Sequence, residues 1–181
     1  SSMAGSGPSP SAGFASSRTA WSPGGAIAVD GTLLALTDGR TATARALAAG
    51  VRDLVLFDLA PDYAAATRLA VARADSCGDA ALDAAVGALQ AAGLAVSRVD
   101  DVAGLPVMRT VAMLANEAAD AVQQGIASPA DVDAAMRLGV GYPRGPLAWA
   151  DAIGLARVRD VLAHLALHYG EPRYRLAPRI A

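Results

Sequence analysis

The sequence predicts an α/β layer with a mostly parallel sheet, followed by an all-helical unit. Three observations predict it. Over residues 26–100, short β-rich runs alternate with Ala-rich helical runs, the spacing of βαβ units. From residue 101 onward apolar residues recur at helical spacing and strand signals stop. The 181 residues, with mean hydropathy +0.34 and 18% charged content, describe a folded chain rather than a disordered one.

The first element is a negative one. Residues 1–25 are Ser/Gly/Pro-rich without an apolar period, and are expected to be a flexible linker whose first residues are a cloning remnant. A first strand is expected over Leu33–Thr37, ending at the turn Asp38-Gly39. Arg40–Ala49 is helical in composition and stops at Gly50. Asp53–Asp58 is the strongest strand, apolar inside and bounded by charge; Leu69–Arg73 is a weaker one. Asp79–Ala92 reads as a helix closed by Gly93, and Leu94–Val99 as the next strand.

The second half, residues 101–181, opens with a long helix over Val107–Gln124. Its apolar stripe is Val107, Val111, Leu114, Ala118 and Val122, with Arg109, Asn116 and Asp120 opposite. Ser128-Pro129-Ala130-Asp131 is a helix start: Ser caps, Pro takes the first helical position, and Asp131 favours the dipole. That helix ends at Gly139, and a Gly- and Pro-rich loop runs to Pro146. A short helix follows to about Ile153. The last helix spans Leu155–Tyr169, with Leu155, Val158, Leu162, Leu165 and Tyr169 as its buried face.

Composition excludes several kinds of function. The apolar share is 54% but aromatics are only 4%, so the core is Ala, Leu and Val. The single Cys77 excludes an internal disulfide framework or a multi-cysteine metal cluster. All 15 basic residues are Arg, and the net charge of −2 gives no nucleic-acid footprint. No apolar run reaches the ~18 residues of a membrane span, and no secretory signal opens the chain, so a cytoplasmic protein is expected.

Candidate chemistry is sparse. His164 and His168 stand four apart, the spacing of a zinc pair, but Leu165 follows where a metalloprotease carries its Glu; a solvated helix face is the plainer reading and no metal is expected. Cys77 has no neighbouring His. The turn Asp38-Gly39-Arg40-Thr41 has one Gly where a dinucleotide loop needs three. Asp58 follows about 20 residues later, as a ribose-binding acid would, but a charged strand end accounts for it as well.

One stretch is specific. Asp100-Asp101-Val102-Ala103-Gly104-Leu105-Pro106-Val107-Met108-Arg109, Leu114-Ala115-Asn116-Glu117-Ala118, Ser128-Pro129-Ala130-Asp131, Gly141-Tyr142-Pro143-Arg144-Gly145-Pro146 and Arg173-Tyr174 follow in order over roughly 80 residues. This run resembles the helical C-terminal domain of the 3-hydroxyacyl-CoA dehydrogenases. The resemblance implies that residues 26–100 are a truncated, degenerate Rossmann-like segment ahead of it, as in the second module of two-module bacterial enzymes of 3-hydroxybutyryl- and 3-hydroxyadipyl-CoA type. It implies a parent that oxidises an (S)-3-hydroxyacyl-CoA with NAD, in fatty-acid β-oxidation or aromatic-acid breakdown. The family Asn of the Gly-Phe-x-Val-Asn-Arg segment is replaced here by Met108, which cannot donate a hydrogen bond. No His-Phe-Phe-Asn-Pro match exists.

On this resemblance the segment carries no catalytic residue and binds no cofactor itself. Its partners would be the upstream catalytic module, a further copy of itself, and the parent's acyl-CoA. Met108, Arg109, Asn116, Glu117, Tyr142 and Arg144 are the candidate substrate-contact or interface residues. For Arg109 and Arg144 the alternatives are CoA phosphates or ordinary packing. For Glu117 they are acyl-CoA binding or an ion pair with an Arg across the helix packing. An isolated acyl-CoA-binding or weakly active domain is the alternative to an inert module.

Overall fold

The computed structural model describes residues 19–22, 26–60, 62–63 and 65–180. The rest of the expected 1–25 linker lies outside these residues. Thr19–Ser22 corrects that expectation in part: it is a strand, β1, paired antiparallel to β2 (Ala26–Val29). Then come β3 (Thr32–Leu36), α1 (Ala42–Ala49), β4 (Leu54–Phe57), β5 (Arg68–Arg73), α2 (Asp79–Ala91) and β6 (Ala95–Arg98). The helical unit is α3 (Pro106–Gln123), α4 (Pro129–Gly139), α5 (Pro146–Ile153) and α6 (Leu155–Tyr169), closed by a 3₁₀ turn at Pro172–Tyr174. The expected α/β layer followed by an all-α unit is therefore present.

The six strands lie in sequential order, and the sheet is mixed rather than mostly parallel. The β3–β4 and β5–β6 pairs are parallel, each with a helix crossing over, as strand–helix alternation requires. The antiparallel pairs come from two features the alternation hides. Asp30-Gly31, both at positive φ (47° and 86°), make a two-residue turn that folds β2 onto β3 as a hairpin. The β4–β5 connection carries no helix among its described residues, and β5 returns antiparallel to β4.

Two apolar cores result. The first packs the sheet against α1 and α2: Leu54, Val55 and Leu56 are fully buried, so β4 is covered on both faces. The second lies among α3, α5, α6 and the chain's end, around Met108, Trp149, Leu162 and Leu165. Leu36 and Leu59, beside the C-terminal ends of β3 and β4, belong to this second core and so join the two layers.

Two expected helix faces are rotated. On α3 the buried residues are Met108, Val111, Ala112, Ala115, Asn116, Ala118 and Ala119, while Val107, Leu114 and Val122 are only half-buried. Ala contributes little to an apolar period, yet its small size lets helices approach closely, so the Ala face took the core. On α6, Leu155 is 48% exposed, and Val161 takes its place in the core. The cap expectations fare better. Ser128 accepts from the Asp131 amide, and Gly50 and Gly170 end α1 and α6 in the left-handed conformation.

Candidate functional site

The place to look for a nucleotide is the turn between β3 and α1, where a helix N-terminus presents free amides. Here those amides are taken by the chain itself. Asp101, 58 and 59 residues away, accepts from the Thr43 amide (2.8 Å) and the Ala42 amide (2.5 Å). Thr41 accepts from the Ala44 amide. The turn's one glycine serves a different neighbour: Gly39 (φ 98°) abuts the α6 backbone, and a Cβ there would lie 2.5 Å from the Val161 carbonyl oxygen. His164 of α6 fixes the same contact, its Nδ1 2.7 Å from the Asp38 carbonyl. Sequential strand order also leaves no reversal point among the described strands, the crevice in which open α/β sheets hold nucleotides. These residues do not fit a dinucleotide at this turn.

The same device recurs at other helix starts. Asp58 is 1% exposed, and its carboxylate accepts from the Leu59, Val107 and Met108 amides at 2.8, 2.7 and 2.9 Å. It ties the end of β4 to the first turn of α3, where Pro106 has no amide to satisfy. Burial pushes its carboxyl above the ordinary value, and the three amide bonds pull it back only in part. Asp58 is thus a helix cap rather than a ribose ligand. Asp133 accepts from the Leu147 and Ala148 amides of α5, and Asp53 from the Gly78 amide at the start of α2. Gly145 is needed for this: a Cβ there would lie 2.1 Å from Asp133 Cγ. The glycine of the Tyr-Pro-Arg-Gly-Pro loop therefore has a packing reason.

The six candidate residues do not converge. Met108 is fully buried in the second core and its amide is committed to Asp58. Arg109 donates to the Tyr169 and Tyr174 hydroxyls and lies 4.6 Å over the Tyr169 ring, which stacks on Tyr174. Its guanidinium is engaged in packing. Asn116 is buried, contrary to its expected polar-face position: its amide donates to the Arg175 carbonyl (2.9 Å) and its Oδ1 accepts from the Ala177 amide (2.8 Å), pinning the tail. Glu117, one residue on, faces solvent and makes no ion pair among the described residues, so the expected Arg partner is not there. Tyr142 is half-buried with its ring 5.7 Å from Trp149. Arg144 is exposed and without a partner among the described residues.

The other sequence candidates are also placed. His164 is half-buried on the Asp38 turn and His168 lies edge-on to Tyr169, so the pair does not act together; no metal-holding cluster occurs among the described residues. Cys77 is buried in the first core, and burial, then the Asp53 charge, push its thiol up. No helix is long and apolar enough to cross a membrane among the described residues. The sequence reading does not assign Asp53, Asp101 or Asp133 a capping role. Nothing local signals them: Asp133 acts on α5 from inside α4, and Asp101 acts on α1 although α1 has its own Thr41 cap.

Comparison with known proteins gives this geometry a family. Residues 34–102 match the 3-hydroxybutyryl-CoA dehydrogenase reduced Rossmann-fold domain, and residues 104–181 match the 3-hydroxyacyl-CoA dehydrogenase C-terminal domain. A 3-hydroxyadipyl-CoA dehydrogenase of Escherichia coli K12 is 43% identical over 83% of this chain and 31% of its own length. A crystal structure of 3-hydroxybutyryl-CoA dehydrogenase from Escherichia coli K12 superposes with TM-score 0.84 at 39% identity, covering 90% of this chain and 34% of that one. An (S)-3-hydroxybutyryl-CoA dehydrogenase from Ralstonia eutropha superposes with TM-score 0.66 at 26% identity, over 82% of this chain and 53% of that one. The chain spans about a third of the length of the first curated relatives it matches, 31% and 30%. In a reduced Rossmann-fold domain followed directly by its helical partner, the chain belongs to the 3-hydroxyacyl-CoA dehydrogenases.

Proposed function

We propose that this chain is a non-catalytic module of a longer 3-hydroxyacyl-CoA dehydrogenase. An upstream module of that parent oxidises an (S)-3-hydroxyacyl-CoA to the 3-oxo thioester with NAD. The present helical unit packs against it as an internal pseudo-dimer partner and covers its substrate. The observation that carries this reading is the β3–α1 turn, whose helix amides donate to the Asp101 carboxylate and whose glycine packs against α6. A buried thioether at Met108 offers no hydrogen-bond donor to a substrate oxygen, and the two histidines are on α6, tied to Asp38 or facing solvent. The packing role is supported by α4, which buries none of its residues and leaves Leu138 85% exposed, with Ile126 and Val140 exposed beside it.

The test is turnover. The purified chain is mixed with NADH and a 3-oxoacyl-CoA, and NADH absorbance is followed. The rate is expected to equal the protein-free blank. A rate above the blank that scales with chain concentration overturns the reading.

A further inference from the structure

Two adjoining cavities open where the C-terminal ends of β3 and β4 meet the α5–α6 junction. The first has a volume of about 330 Å³ and is walled mainly by Leu36, Leu59, Tyr63, Trp149 and Ile153. The second, about 580 Å³, shares Leu36, Ile153 and Arg157 with the first and adds Asp38, Arg40, Arg45, Asp160 and His164. Both volumes fall in the range of small-molecule sites. One chamber is mainly apolar and the next carries three guanidinium groups against two carboxylates.

The charges in the second chamber are incompletely matched. Arg40 and Arg45 share one carboxylate, Asp38, at 2.5 and 3.6 Å. Asp160 is paired with Arg159 (3.1 Å) instead of with a residue of the chamber. The Arg157 guanidinium, on the wall common to both cavities, makes no ion pair or hydrogen bond among the described residues. Burial lowers the Arg45 guanidinium from its ordinary value; Asp38 opposes this, while Arg40 and Arg157 add to it. The first turn of α6 borders the same chamber through Gly154 and Ala156 and has no side-chain cap, unlike α1, α3, α4 and α5. An anion entering here meets surplus positive charge beside an apolar slot.

We propose that this double cavity binds an amphipathic carboxylate. A short alkyl chain lies in the first chamber against Trp149 and Ile153, and the carboxylate head sits at the shared wall on Arg157, with Arg45 behind it. Guanidinium–carboxylate pairing fixes the head, and removal of chain from water supplies the rest. The site uses none of the α1 amides, so it stands apart from the question of nucleotide binding.

Octanoate is the probe, titrated calorimetrically into the whole chain, with octanol and acetate as comparators. Saturable octanoate binding is expected, with octanol at least about tenfold weaker and acetate undetectable. Arg157→Ala is expected to weaken octanoate about tenfold, and Ala152→Phe, which fills the apolar chamber, to abolish it. Both sites are exposed, and circular dichroism checks that the variants remain folded. Absence of saturable octanoate binding, or equal affinity in folded Arg157→Ala, overturns the proposal.

Discussion

Asp58→Ala is expected to destabilise the chain by about 3–5 kcal/mol, read as a lowered urea midpoint. The side chain is small and its loss of apolar contact is slight, so the cost lies in hydrogen bonding. Three backbone amides, those of Leu59, Val107 and Met108, lose their acceptor at once. All three lie in or against the buried junction of the two layers, where water cannot easily replace the carboxylate. The chain holds Leu105, immediately before α3, at φ 52° with its side chain buried in the first core, a conformation that itself stores strain. Without Asp58 that strain has nothing to balance it, and the first turn of α3 frays. Asp58→Asn keeps one acceptor and is expected to fall between the two. A loss below about 1 kcal/mol for Asp58→Ala would mean that the junction is held by apolar packing alone.

Gly39→Ala is expected to cost about 3 kcal/mol or more, through two separate terms. Its φ of 98° is unfavourable for any side chain, and the new Cβ meets the Val161 carbonyl, Cα and carbonyl carbon at 2.5–3.0 Å. Those are backbone atoms in the middle of a buried helix, so no rotamer change relieves them. α6 must withdraw, loosening His164 from Asp38 and opening the second core. Gly31→Ala separates the terms: its φ is 86° and nothing lies within 4 Å of the added Cβ. It should cost only the turn conformation, about 1 kcal/mol. Equal losses for the two variants would show that close approach of α6 contributes nothing.

Much of the local structure was legible because it depends on near neighbours. Ser128-Pro129 started α4 and Gly50 ended α1 by rules that act within one turn of helix. Asp53–Asp58 read as a strand because a fully buried strand is continuously apolar. The β2–β3 hairpin was missed although Asp30-Gly31 signals it, since Ala26 and Ala28 blur the alternation of a strand. Asn116 was put on the wrong face of α3 because alanines, the true core residues there, weigh little in an apolar period. The site was least legible. Asp101 reaches α1 across 58–59 residues and Asp58 reaches α3 across 49–50, and nothing local marks an aspartate as another element's cap.

The amides beginning α1 belong to Asp101 and are closed to a nucleotide. The decisive measurement is two-dimensional amide NMR of the whole chain, titrated with NADH to about 1 mM, a limit that spans ordinary cofactor and substrate affinities. The Ala42 and Thr43 amide resonances are expected to stay fixed throughout, because their acceptor does not leave. A saturable shift of both resonances would contradict it.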